Sequence, residues 1–97
     1  MMLTRQTASS GMQLLIVQGE LKAQNQIEIV VGEYFEGKAH LSIKNATVSS
    51  CELVYKVGER VLKNASEKQQ LDIVQKLLKV EGVMRVNLVE QQDDISR

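Results

Sequence analysis

Catalysis or ligand chemistry at neutral pH needs a nucleophile, a proton-transfer group or a set of metal ligands, and this sequence holds few of each. Its one cysteine is Cys51 and its one histidine is His40. A thiolate beside an imidazole is the smallest set for a thiol-dependent enzyme or a redox sensor. The residue pattern puts Cys51 in the first turn of a predicted helix, where the helix dipole lowers a thiol pKa. His40 falls on the polar side of the predicted strand just before it. Nothing places the two side chains together, and no third group is there to orient them. A structural cysteine and a solvated histidine are the simpler reading.

Metal chemistry has even less support. His40 has no second histidine and no cysteine pair near it, so zinc ligation is not indicated. Asp93-Asp94 is the sole adjacent acidic pair, and the alternating acids and glycine of a calcium loop are missing. Glu28, Glu33 and Glu36 lie near a predicted hairpin, with Glu28 and Glu33 on opposite faces; they read as solvated charges that discourage edge pairing. Gly32 and Gly37 do not open a helix, so neither phosphate-binding fingerprint fits. A serine nucleophile elbow is absent too. The expectation is a non-enzymatic chain without metal or cofactor.

The elements that would position these residues follow from length and pattern. Ninety-seven residues make one domain the prior, with a thin margin for core formation. Formal net charge is zero, and only two tyrosines and one phenylalanine supply rings. Nucleic-acid binding therefore lacks both its basic patch and its stacking platform. The longest apolar run, Leu14 to Val17, is far short of the roughly 20 residues of a membrane helix. Met1 to Gly11 lacks the apolar segment of a signal peptide, and a lone cysteine makes no internal disulfide. A cytoplasmic protein is expected, with a disordered tail over 1–11, one domain over 12–90 and a frayed end over 91–97.

Within that domain, Met12 to Leu21 reads as a strand whose run at Leu14 to Val17 implies burial on both faces or a central position. Ile27 to Phe35 reads as a second strand by alternation, with Phe35 inward and Tyr34 outward. Glu36-Gly37 is a tight turn, and Lys38 to Asn45 returns as a third strand. Ser49 and Glu52 have capping-box spacing, so a helix is expected from Ser50 to Lys63. Ser66 and Gln69 repeat that spacing ahead of Leu71, Val74, Leu77 and Leu78, and Gly82 sits where a left-handed residue ends a helix. Val83 to Val89 alternates again as a last strand. The expected fold class is α+β: an antiparallel four-stranded sheet, elements in the order β-β-β-α-α-β, with two helices packed on one face.

The stretch Leu77-Leu78-Lys79-Val80-Glu81-Gly82-Val83-Met84-Arg85-Val86-Asn87-Leu88-Val89 resembles the second helix and last strand of ferredoxin-like domains, as in ACT-type regulatory domains and heavy-metal-associated domains. Those domains place a helix between their first two strands, where three strands in succession are read here. The CxxC loop of the metal-associated group is absent, and no binding residue carries over.

Three functions are thus open. The first is a protein-interaction module, an accessory or regulatory subunit whose partner is another protein or a second copy. Homodimerisation through the sheet would bury its surplus apolar surface, with Tyr34, Val83, Arg85, Asn87 and Val89 as the candidate surface. The second is a small-molecule-sensing regulatory domain of ferredoxin-like character. The third is thiol chemistry at Cys51 with His40.

Overall fold

The computed structural model describes residues 9–92. Strand β1 spans Ser9–Glu20 and passes through a 3-10 turn, Leu21–Ala23, into helix α1, Gln24–Tyr34. Strands β2, His40–Ala46, and β3, Ser50–Gly58, form a hairpin. Helices α2, Glu59–Gln69, and α3, Ile73–Leu78, precede strand β4, Val83–Gln92. The strands form one antiparallel sheet in the order β2-β3-β1-β4. The antiparallel four-stranded sheet with helices on one face is the expected class. β1 and β4 extend beyond the domain limits expected at 12 and 90, and the remainder of the two expected tails lies outside the described residues.

β1 is an internal strand, which is what its continuous apolar run requires. Leu15 and Val17 point to the helices and are fully buried with Leu53, Tyr55 and Val57 of β3. Ile27 and Val31 of α1 and Ile73 and Leu77 of α3 close the core from above.

Two segments take the opposite state from that expected. Ile27 to Phe35 is the helix α1 and its cap rather than a strand. Read as a strand, it would bring Glu33 into the core beside Ile27 and Val31. Read as a helix, Ile27, Val30, Val31 and Tyr34 recur at the spacing of one helical face, and those are the buried positions. The cost of β-branched residues in a helix is a fraction of a kcal/mol each, about 0.5, so packing decides. Conversely, Ser50 to Gly58 is strand β3, and the helix expected from Ser50 begins only at Glu59. Cys51, Leu53, Tyr55 and Val57 are buried at every second position, the period of a strand.

The turns explain how the chain accommodates this. Glu36, at φ 55°, and Gly37, at φ 78°, end α1: Gly37 N–H donates to the Gly32 carbonyl at 2.9 Å, and Glu36 N–H to that of Glu33 at 3.3 Å, a Schellman closure. The expected turn at Glu36-Gly37 is therefore real but ends a helix. The helix expected from Ser66 is interrupted at Gln70, which is left-handed at φ 55° and donates to the Ser66 carbonyl. α3 then starts on Asp72, whose carboxylate accepts from Val74 N–H at 3.0 Å. Gly82 has φ 96°, the left-handed turn foreseen before the last strand.

A bulge at Ser42 puts Leu41 on the helix side and Ile43 on the other. Lys44 consequently rises toward α1 and pairs with Glu28 at 2.7 Å. Tyr34 is corrected from outward to buried, at 2% exposure: its hydroxyl donates to the Leu71 carbonyl at 2.6 Å, and its ring meets Phe35 edge-on at 4.8 Å. That bond ties α1 to the break between α2 and α3.

Two glycines predict opposite responses. A Cβ on Gly19 would lie 2.6 Å from the Gly82 carbonyl oxygen and 3.0 Å from Val83 Cα, both backbone atoms. Gly19→Ala should lower stability by about 1–3 kcal/mol. A Cβ on Gly32, within α1, meets nothing, and Gly32→Ala should raise stability by about 0.5–1 kcal/mol. Urea denaturation followed by circular dichroism checks both signs.

Candidate functional site

Where β1 and β2 end and β3 and β4 begin, three chain connections cross. Glu20 N–H donates to the Gly82 carbonyl at 2.8 Å and Leu21 N–H to that of Ser49 at 3.0 Å. The β2–β3 turn is folded by Thr47, whose hydroxyl oxygen accepts from the amides of Ser49 at 3.2 Å and Ser50 at 2.9 Å. Serine and threonine favour such turns because their hydroxyls replace a backbone acceptor.

Beside this junction lies a cleft of about 310 Å³, bounded by Gln18, Gly19, Asn45, Ala46, Thr47, Ser50, Cys51, Glu52 and Met84. Its volume is in the range of small-molecule sites. Glu52 supplies the single formal charge among those residues. Gln18 Nε2 donates to one of its carboxylate oxygens at 2.8 Å and Asn45 Nδ2 to the other at 3.4 Å. Two neutral amides thus hold the carboxylate in place without cancelling its charge. Each carboxylate oxygen keeps a further acceptor site, so the cleft is built to receive an N–H donor or a cationic group.

Cys51 borders the cleft but is not poised as a nucleophile. It lies on β3 rather than in the first turn of a helix, at 4% exposure, and its thiol donates to the Glu20 carbonyl at 3.4 Å. Burial pushes its pKa up, opposite to the effect of a helix N-terminus. His40 pairs with Lys56 at the far end of the hairpin, whereas Cys51 pairs with Ala46. Six strand residues, about 20 Å, separate the two positions, and they lie on opposite faces of the sheet. The structure does not bring Cys51 and His40 together. Asp93 and Asp94 lie outside the described residues. Among the described residues, no group of three His, Cys, Asp or Glu side chains could hold a metal ion.

The expected surface residues on β4 divide. Arg85, Asn87 and Val89 lie on the sheet face away from the helices, opposite Gln18, Ile16 and Leu14. Val83 packs toward the core, and Met84 is the extra residue of a bulge, 64% exposed beside the cleft. Glu52, Gln18, Asn45 and Thr47 were not singled out as a site by sequence reasoning. The signal in the sequence is Thr47 with Ser49 and Ser50, a turn-forming cluster that overlaps the capping-box spacing of Ser49 and Glu52.

A four-stranded antiparallel sheet in this order, with a helix after the first strand and helices before the last, is an α+β fold of ferredoxin-like topology. The solution structure of the C-terminal domain of the MgtC protein from Mycobacterium tuberculosis superposes with a TM-score of 0.58 at 15% identity, covering 94% of this chain and 100% of that one. The ACT domain from GTP pyrophosphokinase of Chlorobium tepidum superposes in its crystal structure with a TM-score of 0.53 at 24% identity, covering 80% of this chain and 96% of that one. Its solution NMR structure gives 0.50 at the same identity, covering 80% and 84%. At these identities the likeness establishes the fold. No family model matches the sequence, and no curated protein matches it. Helix α1 supplies the element between the first two strands that the sequence pattern had not shown. Among the described residues no helix is long and apolar enough to cross a membrane.

Two chemical outcomes follow from burial. Cys51 should react with iodoacetamide only at the rate of unfolding at neutral pH; alkylation of the folded chain at the rate of a free thiol would contradict its placement. Burial also raises the pKa of Tyr55 to about 12, with Glu28 adding to the effect, and raises that of Tyr34. The unfolded phenol titrates near about 10, so the protonated form favours the folded state. That stability is complete below about pH 10 and is lost as pH rises toward 12. Phenolate absorbance and loss of circular dichroism should therefore rise together in that window.

Proposed function

We propose that this chain is a small-molecule-sensing regulatory domain. The observation that carries the reading is the cleft at the crossing of three connections, with the Glu52 carboxylate held by Gln18 and Asn45. A ligand seated there touches the ends of β1 and β2 and the starts of β3 and β4. Binding energy is thereby delivered to the segments that join the sheet to α1 and α3, which is how a small molecule biases a fold between states. The acidic, amide-rich lining selects a small polar molecule bearing an amino group. The fold shared with the ACT domain of a GTP pyrophosphokinase supports the same direction.

The reading makes the chain non-enzymatic, since Cys51 and His40 lie apart. It also places it in the cytoplasm, where a lone free thiol is the ordinary state. A screen of amino acids and nucleotides by thermal shift tests it. A ligand at about 100 times its Kd should add about 2.7 kcal/mol of stability, and amino acids should do so ahead of nucleotides. Glu52→Gln, which keeps a hydrogen-bonding group but removes the charge, should weaken binding by about tenfold or more. A screen in which nothing shifts the transition, or a shift that Glu52→Gln leaves intact, would count against the cleft.

A further inference from the structure

Among the described residues, the helices cover one face of the sheet and nothing covers the other. Strand register arranges its side chains in three rows. Nearest the cleft stand Asn45, Glu52, Gln18 and Arg85; in the middle stand Ile43, Val54, Ile16 and Asn87; farthest stand His40, Lys56, Leu14 and Val89. Val54 is 9% exposed yet takes no part in the core cluster, and Leu14, Ile16, Ile43 and Val89 are likewise outside it. Among the described residues no element lies over this face: Val54 is shielded by its neighbours in the sheet, whereas Ile43 and Val89 stand 47% and 43% exposed.

Its charges along β3 are self-complementary, and Arg85 stands apart from them on β4. Along β3 the exposed-face residues run Glu52, Val54, Lys56. None of the ion pairs among the described residues uses either charge. Rotation by 180° about an axis that crosses the strands at the middle row lays Val54 on Val54 and Ile16 on Ile16. The same rotation sets Glu52 of each copy over Lys56 of the other. The alternative two-fold, along the strands, sets Glu52 over Gln18 and Lys56 over Leu14 and pairs no charges. We infer that the bare face docks a second copy of this chain, sheet against sheet, with strand directions reversed and Glu52 facing Lys56 across the seam.

The dimensions allow it. Four strands about 4.8 Å apart and about seven residues long give each face about 450 Å², so the pair buries about 900 Å². That is below the size of a stable interface and sets the expectation of a weak, concentration-dependent dimer. Packed sheets stand about 10 Å apart, a gap that a glutamate and a lysine extended toward each other bridge. The interface is isologous, as a two-fold requires.

Sedimentation equilibrium over a dilution series, with charge exchange, tests the arrangement. Lys56 makes no ion pair among the described residues and lies outside the cleft, so Lys56→Glu leaves folding and the cleft of the monomer intact. It places like charges over each other twice per dimer and should weaken association by about tenfold or more. Glu52→Lys should do the same. Mixing E52K with K56E should restore association, because every seam position then meets its opposite charge. Should E52K fail to fold for want of the acceptor used by Gln18 and Asn45, K56E alone decides. A chain that stays monomeric at high micromolar concentration overturns the inference. So does a dimer indifferent to K56E, as pairing along the free edge of β4 would give.

Discussion

The amide of Glu20 donates to the carbonyl of Gly82, and that bond joins the end of the first strand to the start of the last. It forms only because Gly19 has no side chain: a single carbon there would stand 2.6 Å from the same carbonyl oxygen. Gly82 meets the approach from its own side, turning at φ 96° with Ala23 packed close against its Cα. β1 can then pair with β4 on one flank and β3 on the other while the chain turns sharply upward into α1. The layering follows. Once β1 is internal, Leu15 and Val17 need a cover, and α1 and α3 supply it through Ile27, Val31, Ile73 and Leu77. The cleft follows as well, since it is the space left where three connections converge on that bond.

How much of this could be read in advance depends on how many physical signals each segment carries. β1 had one that admits few alternatives, a run of four large aliphatic residues too short for a buried helix. Gly82 had another, a glycine between a helical pattern and an alternating one. The segment Ile27 to Tyr34 carried two that disagree. Its residue types favour a strand, while its apolar spacing fits a helix. Propensity differences of about 0.5 kcal/mol per residue lose to the burial of Ile27, Val31 and Tyr34. Glu33, which a strand would have turned inward, marks the choice. At Ser50 to Gly58 the error ran the other way. There a capping-box spacing competes with the alternation of Cys51, Leu53, Tyr55 and Val57, and the alternation prevails: Glu52 serves as an acceptor on the open face.

The site was less legible than the fold for a different reason. Its parts come from three separate strands, and only tertiary pairing brings Gln18, Asn45 and Glu52 into one row. Glutamine and asparagine carry no charge and have no fixed spacing to one another in the chain, so nothing marks them until the register is known. The residues that did stand out, Cys51 and His40, did so because each is single of its kind. Rarity is a property of composition, and it says nothing about where two side chains end up.

The outer pairing of β1 with β4 extends to Ser9 opposite Gln92. The two ends of the described chain therefore lie side by side at one corner of the sheet, on adjacent antiparallel strands. A domain entered and left at one point can be spliced into a surface loop of a host protein, or joined head to tail with another of its kind, without opening its core. Modularity of that sort is a property of the sheet order itself, because placing the first strand beside the last is what brings the two ends together.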